Sequence, residues 1–356
     1  LLNAKANTEI ALPTKTKMTA IAFAAQFGNI AVMNMLIEAK ADVNVRNTLK
    51  MTPLMFACQR GNAEAVETLI EAGSMPNARN MDGISPILFA AGAGCVASIY
   101  SLIQAKADLH VRDNQGKNVL MYAASRGHLG ATVELLSAGV DIDARDAIGY
   151  SVLSHAANAQ VVDALITAGA DMRAKSLSGA TPLMIAASKR RHGAVEALLR
   201  SGARVNDANN TGLTALHTYL LEPISQTLSA DAVAVLLDAK ADVCALTVKN
   251  ESVLHIATRN PDVTDPVLEL LSKAGAPLNV KNSNGKTASM IAVDSNSIEK
   301  LNFLISHGAD LDIRDFTGKT ALIMAVDSVK SEFVEMLLNA GARWNASHHA
   351  EIEAFF

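Results

Sequence analysis

Apolar residues recur along this chain in short helical bursts. One heptapeptide returns in varied form: TAIAFAA (19–25), TPLMFAC (52–58), SPILFAA (85–91), NVLMYAA (118–124), SVLSHAA (151–157), TPLMIAA (181–187), TALHTYL (214–220), SVLHIAT (252–258), TASMIAV (287–293) and TALIMAV (320–326). The steps between starts are 33, 33, 33, 33, 30, 33, 38, 35 and 33 residues. A fixed period of this size predicts a stack of like supersecondary units, each burying its apolar face against its neighbours.

Repeat two shows the physics of one copy. Thr52 precedes Pro53, the order that suits an N-cap and a first helical position. Leu54, Ala57 and Cys58 then share a helical face, and Gly61 predicts the stop. Ala65, Val66, Leu69 and Ile70 give a second apolar face, and Gly73 closes that helix. Asn80-Met81-Asp82-Gly83 is a turn signal leading into the next copy. Neither helix is long enough to hold alone, so stacking must supply the stability. Paired alanines such as Ala90/Ala91 and Ala186/Ala187 let neighbouring helices approach closely.

The pattern resembles the ankyrin repeat, through Gly127-His128, Glu134-Leu135-Leu136 and the Gly-Ala-Asp runs at 169–171 and 308–310. The resemblance covers essentially the whole chain. It implies an all-α repeat solenoid with short β-hairpin fingers: fingers and first helices line a concave face, and second helices form the back. It implies no single function, because one fold serves many. The expected layout is a partial preceding repeat at 1–18, ten repeats over 19–346 and a tail at 347–356. The opening LLNAKAN (1–7) matches LLDAKAD (236–242) inside repeat seven, so the chain is expected to start in mid-repeat, as a segment of a longer protein.

Departures from the period carry information. Lys40, Lys106 and Lys240 stand where the second helix normally ends in glycine, which predicts left-handed lysines at a cost of about 1 kcal/mol each. Repeat five lacks three residues, assigned to the helix–helix connection near 158–160. Repeat seven gains five within 221–231, a segment holding Glu222-Pro223 and Ser225, and repeat eight gains two near 260–265. Loops tolerate such changes cheaply, or use them to shape a partner site.

Partner-binding candidates fall in three places. Finger tips carry Leu49, Met81, Ile148, Leu177, Val248 and Phe316, a row of apolar residues that marks an interaction surface. Asn80, Asp113, Gln115 and Lys249 supply polar specificity there. The inner-helix column begins Phe23, Phe56, Phe89 and Tyr122, either packed as core or exposed as aromatic anchors. It continues through His155 to Met324. The run Lys189-Arg190-Arg191-His192 is a solvated turn or a contact for an acidic partner. Asn44 and Asn206, with Leu278-Asn279 as a partial third case, look like the finger asparagines that an asparaginyl hydroxylase modifies in ankyrin repeats. They equally follow the consensus, where asparagine serves turn chemistry.

Composition narrows the function. The formal net charge of −4 gives no global attraction to nucleic acid, and no apolar run is long enough to insert in a membrane. Cys58, Cys95 and Cys244 have no metal-ligand spacing, which favours a reducing compartment, cytoplasm or nucleus. No nucleophile elbow, P-loop, zinc-helix or dinucleotide motif is present. His217 and His255 hold a family position with a structural role, and Met55, Met121, Met184 and Met290 replace it elsewhere. Asp141/Asp143 and Asp310/Asp312 recur with the period, as finger residues rather than an acid–base pair. His348-His349 belongs to the tail. No catalytic residue, metal or cofactor is expected. The expected function is a non-enzymatic protein–protein interaction scaffold or adaptor. The alternative is the regulatory region of a larger enzyme, acyltransferase or channel whose active part lies outside this chain.

Overall fold

The computed structural model describes residues 17–221 and 228–343. The chain forms two compact units, Leu1–Leu177 with Gly193–Ser201, and Ser178–His192 with Gly202–Phe356. The terminal segments 1–16 and 344–356, and residues 222–227 of the repeat-seven insertion, lie outside the described residues. So do the N-terminal partial repeat up to residue 16, Glu222, Pro223, Ser225 and His348-His349.

The first unit contains α1 (Ala20–Phe27), α2 (Ile30–Glu38), α3 (Pro53–Arg60), α4 (Ala63–Glu71), α5 (Pro86–Ala93), α6 (Val96–Gln104), α7 (Val119–Ser125), α8 (Leu129–Ser137), α9 (Val152–His155) and α10 (Ala159–Thr167). The second contains α11 (Pro182–Ser188), and α12 (His192–Arg200) belongs to the first from Gly193 onward. The rest of the second unit is α13 (Ala215–Leu221), α14 (Ala230–Asp238), α15 (Val253–Arg259), α16 (Asp265–Lys273), α17 (Ala288–Asp294), α18 (Ile298–Ser306), α19 (Ala321–Asp327) and α20 (Ser331–Asn339). In the first unit α1, α3, α5, α7 and α9 stack in single file, and α2, α4, α6, α8 and α10 form the second row. In the second unit α11, α13, α15, α17 and α19 stack likewise, beside α14, α16 and α18.

Local chemistry sets these helices. The Thr52 hydroxyl accepts the Met55 N–H at 3.3 Å, and Pro53 opens α3. Gly61, at φ 70°, ends it, and Asn62 caps α4. Leu54, Ala57, Cys58, Ala65, Val66 and Leu69 are fully buried, so burial shared between adjacent repeats holds the stack together. Burial also pushes the Cys58 thiol up, leaving it protonated and unreactive. Lys40, Lys106 and Lys240 take φ of 63°, 60° and 65° at the expected sites. Arg190, Asn296 and Val329 do the same in the turn between paired helices, where Gly61 sits in repeat two.

The three missing residues of repeat five come from a different place than the connection near 158–160. Asn158 keeps its capping role, its side chain accepting the Val161 N–H at 3.0 Å. That anchors α10, so the loss falls on the last turn of α9, only four residues long. Ala156 leaves the helix at φ −55°, ψ 125°.

The fingers are turns rather than β-hairpins; among the described residues one isolated bridge, Arg145–Ser151, is all the strand pairing present. A side chain does the work of a ladder. Asn47, Asn80, Asp113, Asp146, Asn209, Asn282 and Asp315 each accept the N–H groups two and four residues on. Successive tips are joined by one backbone bond each: Met81 to Leu49, Asn114 to Asp82, Ala147 to Gln115 and Leu177 to Ile148 in the first unit, N–H to carbonyl. Asn210 to Ser178, Val248 to Thr211, Ser283 to Lys249 and Phe316 to Asn284 continue the rule in the second. Gly285 shows why glycine follows the acceptor at six of these joints, Lys50 and Asn250 taking the same left-handed backbone at the other two. Its φ is 77°, and a Cβ there would lie 2.5 Å from the Phe316 nitrogen.

Candidate partner-binding surface

The finger tips stand where the pattern places them. Leu49, Met81, Gln115, Ile148 and Leu177 are exposed in the first unit, Leu177 most of all at 76 %. Val248 and Phe316 are exposed in the second, and the Lys281 ammonium sits 5.1 Å from the Phe316 ring centre. Lys249 is exposed, but Asn80 and Asp113 serve the fold. The Asn80 side chain closes its own turn, and Asp113 is buried at the base of its finger, accepting from Gln115, Lys117 and the Tyr122 hydroxyl.

Arginines that the sequence reading passed over fasten these tips. Arg79 donates to the Gly83 and Arg112 carbonyls, Arg112 to Gly116 and Arg145, and Arg145 to Gly149 and Lys175. Each therefore ties its own turn to the next. The signal was available in the recurring Arg one residue before the finger's Asn or Asp.

The aromatic column is not an exposed ladder. Phe56 is buried in a cluster with Met18, Ala22, Met51, Met55 and Ala78, and Phe23 and Phe89 pack against it, half-buried. Phe23 also stacks on Phe27 at 6.1 Å. The rings lie where successive repeats meet, so core packing claims most of their surface. Tyr122 is half-buried and donates its hydroxyl to Asp113 Oδ2 at 2.8 Å. Burial and that carboxylate raise its pKa, so it remains a donor. His155 repeats the arrangement, its Nε2 lying 2.9 Å from Asp146 Oδ2.

A groove of about 480 Å³ opens beside Phe89 and Tyr122. It is lined by Gln59, Ile84, Leu88, Phe89, Gly92, Ala93, Lys117, Tyr122, Ser125 and Arg126. Its origin is legible in register: α1 ends in Gln26-Phe27 and α3 in Gln59-Arg60, but α5 ends in Gly92-Ala93. Two missing side chains leave a notch between longer neighbours.

The groove has two basic side chains at its border and the Asp113 carboxylate behind Tyr122, and the basic pair stands there for a reason of spacing. In three repeats of the second unit the residue closing the finger pairs with the one eight further on: Lys286 with Asp294 at 2.6 Å, Lys319 with Asp327 at 2.5 Å, and Glu251 with Arg259. Eight beyond Lys117 stands Ser125. Lys117 and Arg126 border the notch, and no carboxylate is among its lining residues. A second groove of about 540 Å³, lined in part by Lys249, Glu251, Arg259, Lys286, Ile291 and Asp294, has most of its charge neutralised by such pairs.

The remaining candidates are mostly tied into the fold. Arg190 lies over the Tyr219 ring at 5.5 Å, His192 meets that ring edge-on, and Arg191 is half-buried, which lowers its pKa; Lys189 is exposed. The Asn44 amide donates to the Gly73 carbonyl at 3.1 Å and accepts the Met75 N–H at 2.8 Å. Asn206 grips Lys240 and Asp242 in the same way, and Asn279 accepts from Asp310. These amides thus clasp the helix exit of the following repeat.

His255 has the structural role expected of it: Nδ1 lies 2.8 Å from the Ser252 hydroxyl and Nε2 2.9 Å from the Lys286 carbonyl. His217 is buried, with Nδ1 2.9 Å from the Thr214 hydroxyl. Burial pulls its pKa down to about 4, so it is neutral near pH 7. Asp141 and Asp310 accept from the backbone of Asp143 and Asp312, as finger residues. Among the described residues no group of three or more His, Cys, Asp or Glu could hold a metal, and no helix is long and apolar enough to cross a membrane.

One buried cation had no sequence signal beyond its register. Lys300 occupies the third position of α18, where other second helices carry Ala65, Ala131, Ala194 or Val267. Its ammonium donates to the carbonyls of Ala257, Thr258 and Asn260, capping the end of α15. Burial lowers its pKa to about 8.

A family model described as "Ankyrin repeats (3 copies)" matches residues 1–80, 54–146, 87–176, 150–247 and 254–348. No curated protein matches the chain.

Proposed function

Since the chain belongs to the ankyrin-repeat family, whose repeats are generally protein-interaction modules and typically non-catalytic, we propose that it is a scaffold or adaptor that holds a partner protein in the groove of its first unit. The partner inserts an apolar side chain into the notch over Gly92 and Ala93, against Phe89 and Tyr122. A carboxylate beside that anchor meets Lys117 and Arg126 in charge-assisted bonds. The exposed tips Leu49, Met81, Gln115, Ile148 and Leu177 extend the contact along the fingers, whose arginine ties fix them before binding and lower its entropic cost. One observation carries the reading: Gly92 and Ala93 leave open the space that Gln59 and Arg60 fill in α3, and Ser125 stands where Asp294 and Asp327 pair with the lysines equivalent to Lys117. Lys189 of the second unit is a further site for an acidic partner, and a cytoplasmic or nuclear setting suits the protonated Cys58 thiol.

The test is affinity capture from the native source with wild type, Gly92→Gln, Lys117→Glu and Leu177→Asp, each first confirmed folded by thermal melting. One protein recovered by wild type and lost from the first two variants supports the groove. Equal recovery by all four refutes it.

A further inference from the structure

The row of second helices carries a different kind of surface, which the groove does not use. Their fifth positions are exposed, or half-buried at Ala234 and Glu269, and are polar or small almost throughout: Asn34, Glu67, Asp163, Glu196, Ala234, Glu269, Asn302 and Glu335. Repeats three and four break the rule with Tyr100 and Val133, 57 % and 48 % exposed. Val96 and Leu129, one turn earlier on the same two helices, are also exposed. The patch is continuous: a Cβ at Gly130 would lie 3.2 Å from Val96 Cγ2. Ala97 and Gly130, exposed between these larger side chains, leave a shallow trough.

The charged side chains borne by α4, α6 and α8 themselves have one sign, with Lys106 just after α6 and Arg126 just before α8. α4 bears Glu64, Glu67 and Glu71, α8 bears Glu134, and α4, α6 and α8 hold no Lys or Arg. The Ser101 hydroxyl donates to Glu67 Oε1 at 3.1 Å, which brings the acidic row of α4 against α6.

We propose that the exposed face of α6 and α8 is a second docking site, for an amphipathic helix with Lys or Arg flanking its apolar stripe. Tyr100 and Val133 are the central anchors, and the glutamates of α4 take the basic flank. A second copy of this chain fits poorly, because the same face would set glutamates against glutamates. An anionic membrane is repelled for the same reason. The site is independent of the groove reading, since neither Gly92 nor Lys117 contributes to it.

The test is fluorescence anisotropy of two labelled helical peptides of roughly 18 residues, about five turns, one built from Leu and Lys and one from Leu and Glu in the same pattern. Wild-type chain should bind the Leu/Lys peptide and not the Leu/Glu peptide. Tyr100→Glu/Val133→Glu should weaken binding at least about tenfold, and Tyr100→Ser/Val133→Ser should weaken it without a charge change. This pair of variants is decisive, since a peptide held by charge alone would bind the glutamate variant more tightly. Gly92→Gln should bind the peptide as wild type does. Undiminished binding by both double variants, no binding at all, or equal binding of the Leu/Glu peptide overturns the proposal. So does a dimer in sedimentation, or adsorption to anionic vesicles, that these substitutions abolish.

Discussion

Replacing Gly92 with glutamine moves stability and binding in opposite directions. Gly92 lies inside α5, outside the left-handed region, and a Cβ there would stand 3.4 Å from Tyr122 Cδ1, a contact that needs at most a slight shift of the ring. Glutamine occupies the corresponding place in α1 and α3 as Gln26 and Gln59, so the fold accepts that side chain at this register. Glycine in a helix interior is less favourable than a straight-chain residue by about 0.5 kcal/mol. In a chain of this size that predicts a rise in melting temperature of roughly 1–2 °C. Binding should fall, because the new side chain fills the notch. If the partner's anchor is a fully buried Leu or Phe, its loss costs about 1.5–3 kcal/mol, a rise in Kd of roughly 10- to 150-fold. Titration calorimetry with the captured partner, paired with thermal melts, reads both effects. A variant that melts higher and binds as tightly as wild type would refute the claim that the notch is an anchor site. A variant that melts lower would refute the account of Gly92 as an unfilled helix position.

Three further outcomes follow from the same geometry. Val329 holds a branched side chain at φ 55° while 74 % exposed, so Val329→Gly should gain about 1 kcal/mol in urea unfolding, relief of left-handed strain exceeding glycine's entropy. His217 titrates near 6.5 when unfolded and about 4 when folded, so its contribution is complete above pH 6.5 and is lost as pH falls toward 4, by about 3 kcal/mol in total; His217→Met, the residue of four other repeats, should flatten that acid limb when urea midpoints are compared at pH 7 and 4.5. Lys300→Met should cost about 2–4 kcal/mol by leaving the last carbonyls of α15 without their charged donor, with hydrogen-exchange protection lost first around Ala257–Asn260.

The parts legible in sequence were those fixed by local chemistry that recurs. Thr52-Pro53 and Gly61 mark helix ends because caps depend on neighbours in the chain, and ten copies average out each copy's exceptions. Lys40, Lys106 and Lys240 were readable as left-handed because their register demanded it. Where two local rules competed, the sequence pointed to the wrong place, a connection shortened near 158–160. Repeat five could lose its residues from the connection or from either helix. The Asn158 cap is what protected α10 and shortened α9. Between-repeat contacts were less legible still. The burial of Phe56 depends on Met18 and Met51, and the partners of Lys300 lie 40 to 43 residues before it. The apolar tips were found because exposure there follows from finger geometry alone. The groove was missed because its signal is an absence, small residues where other repeats have large ones.

Small residues at a register that elsewhere holds large ones show where function can reside in a repeat array. Successive fingers are all joined by the same backbone bond, and most repeats share the same finger turn. Positions in those roles are committed, as Asn44, Asn80 and Asp113 are, whatever their exposure suggests. Variation is tolerated only where the register leaves a side chain without a structural task, so partner chemistry should concentrate at residues that break the column average while keeping the scaffold intact. Repeats three and four do so twice. Gly92, Ala93 and Ser125 break the first-helix register beside the unneutralised Lys117, and Tyr100 and Val133 break the second-helix register beside the Glu64–Glu71 row. An asymmetry is expected: substitutions in these two repeats should alter partner recovery at little cost in stability. Substitution of the exposed Glu335 in the second unit, where the column is ordinary, should alter neither.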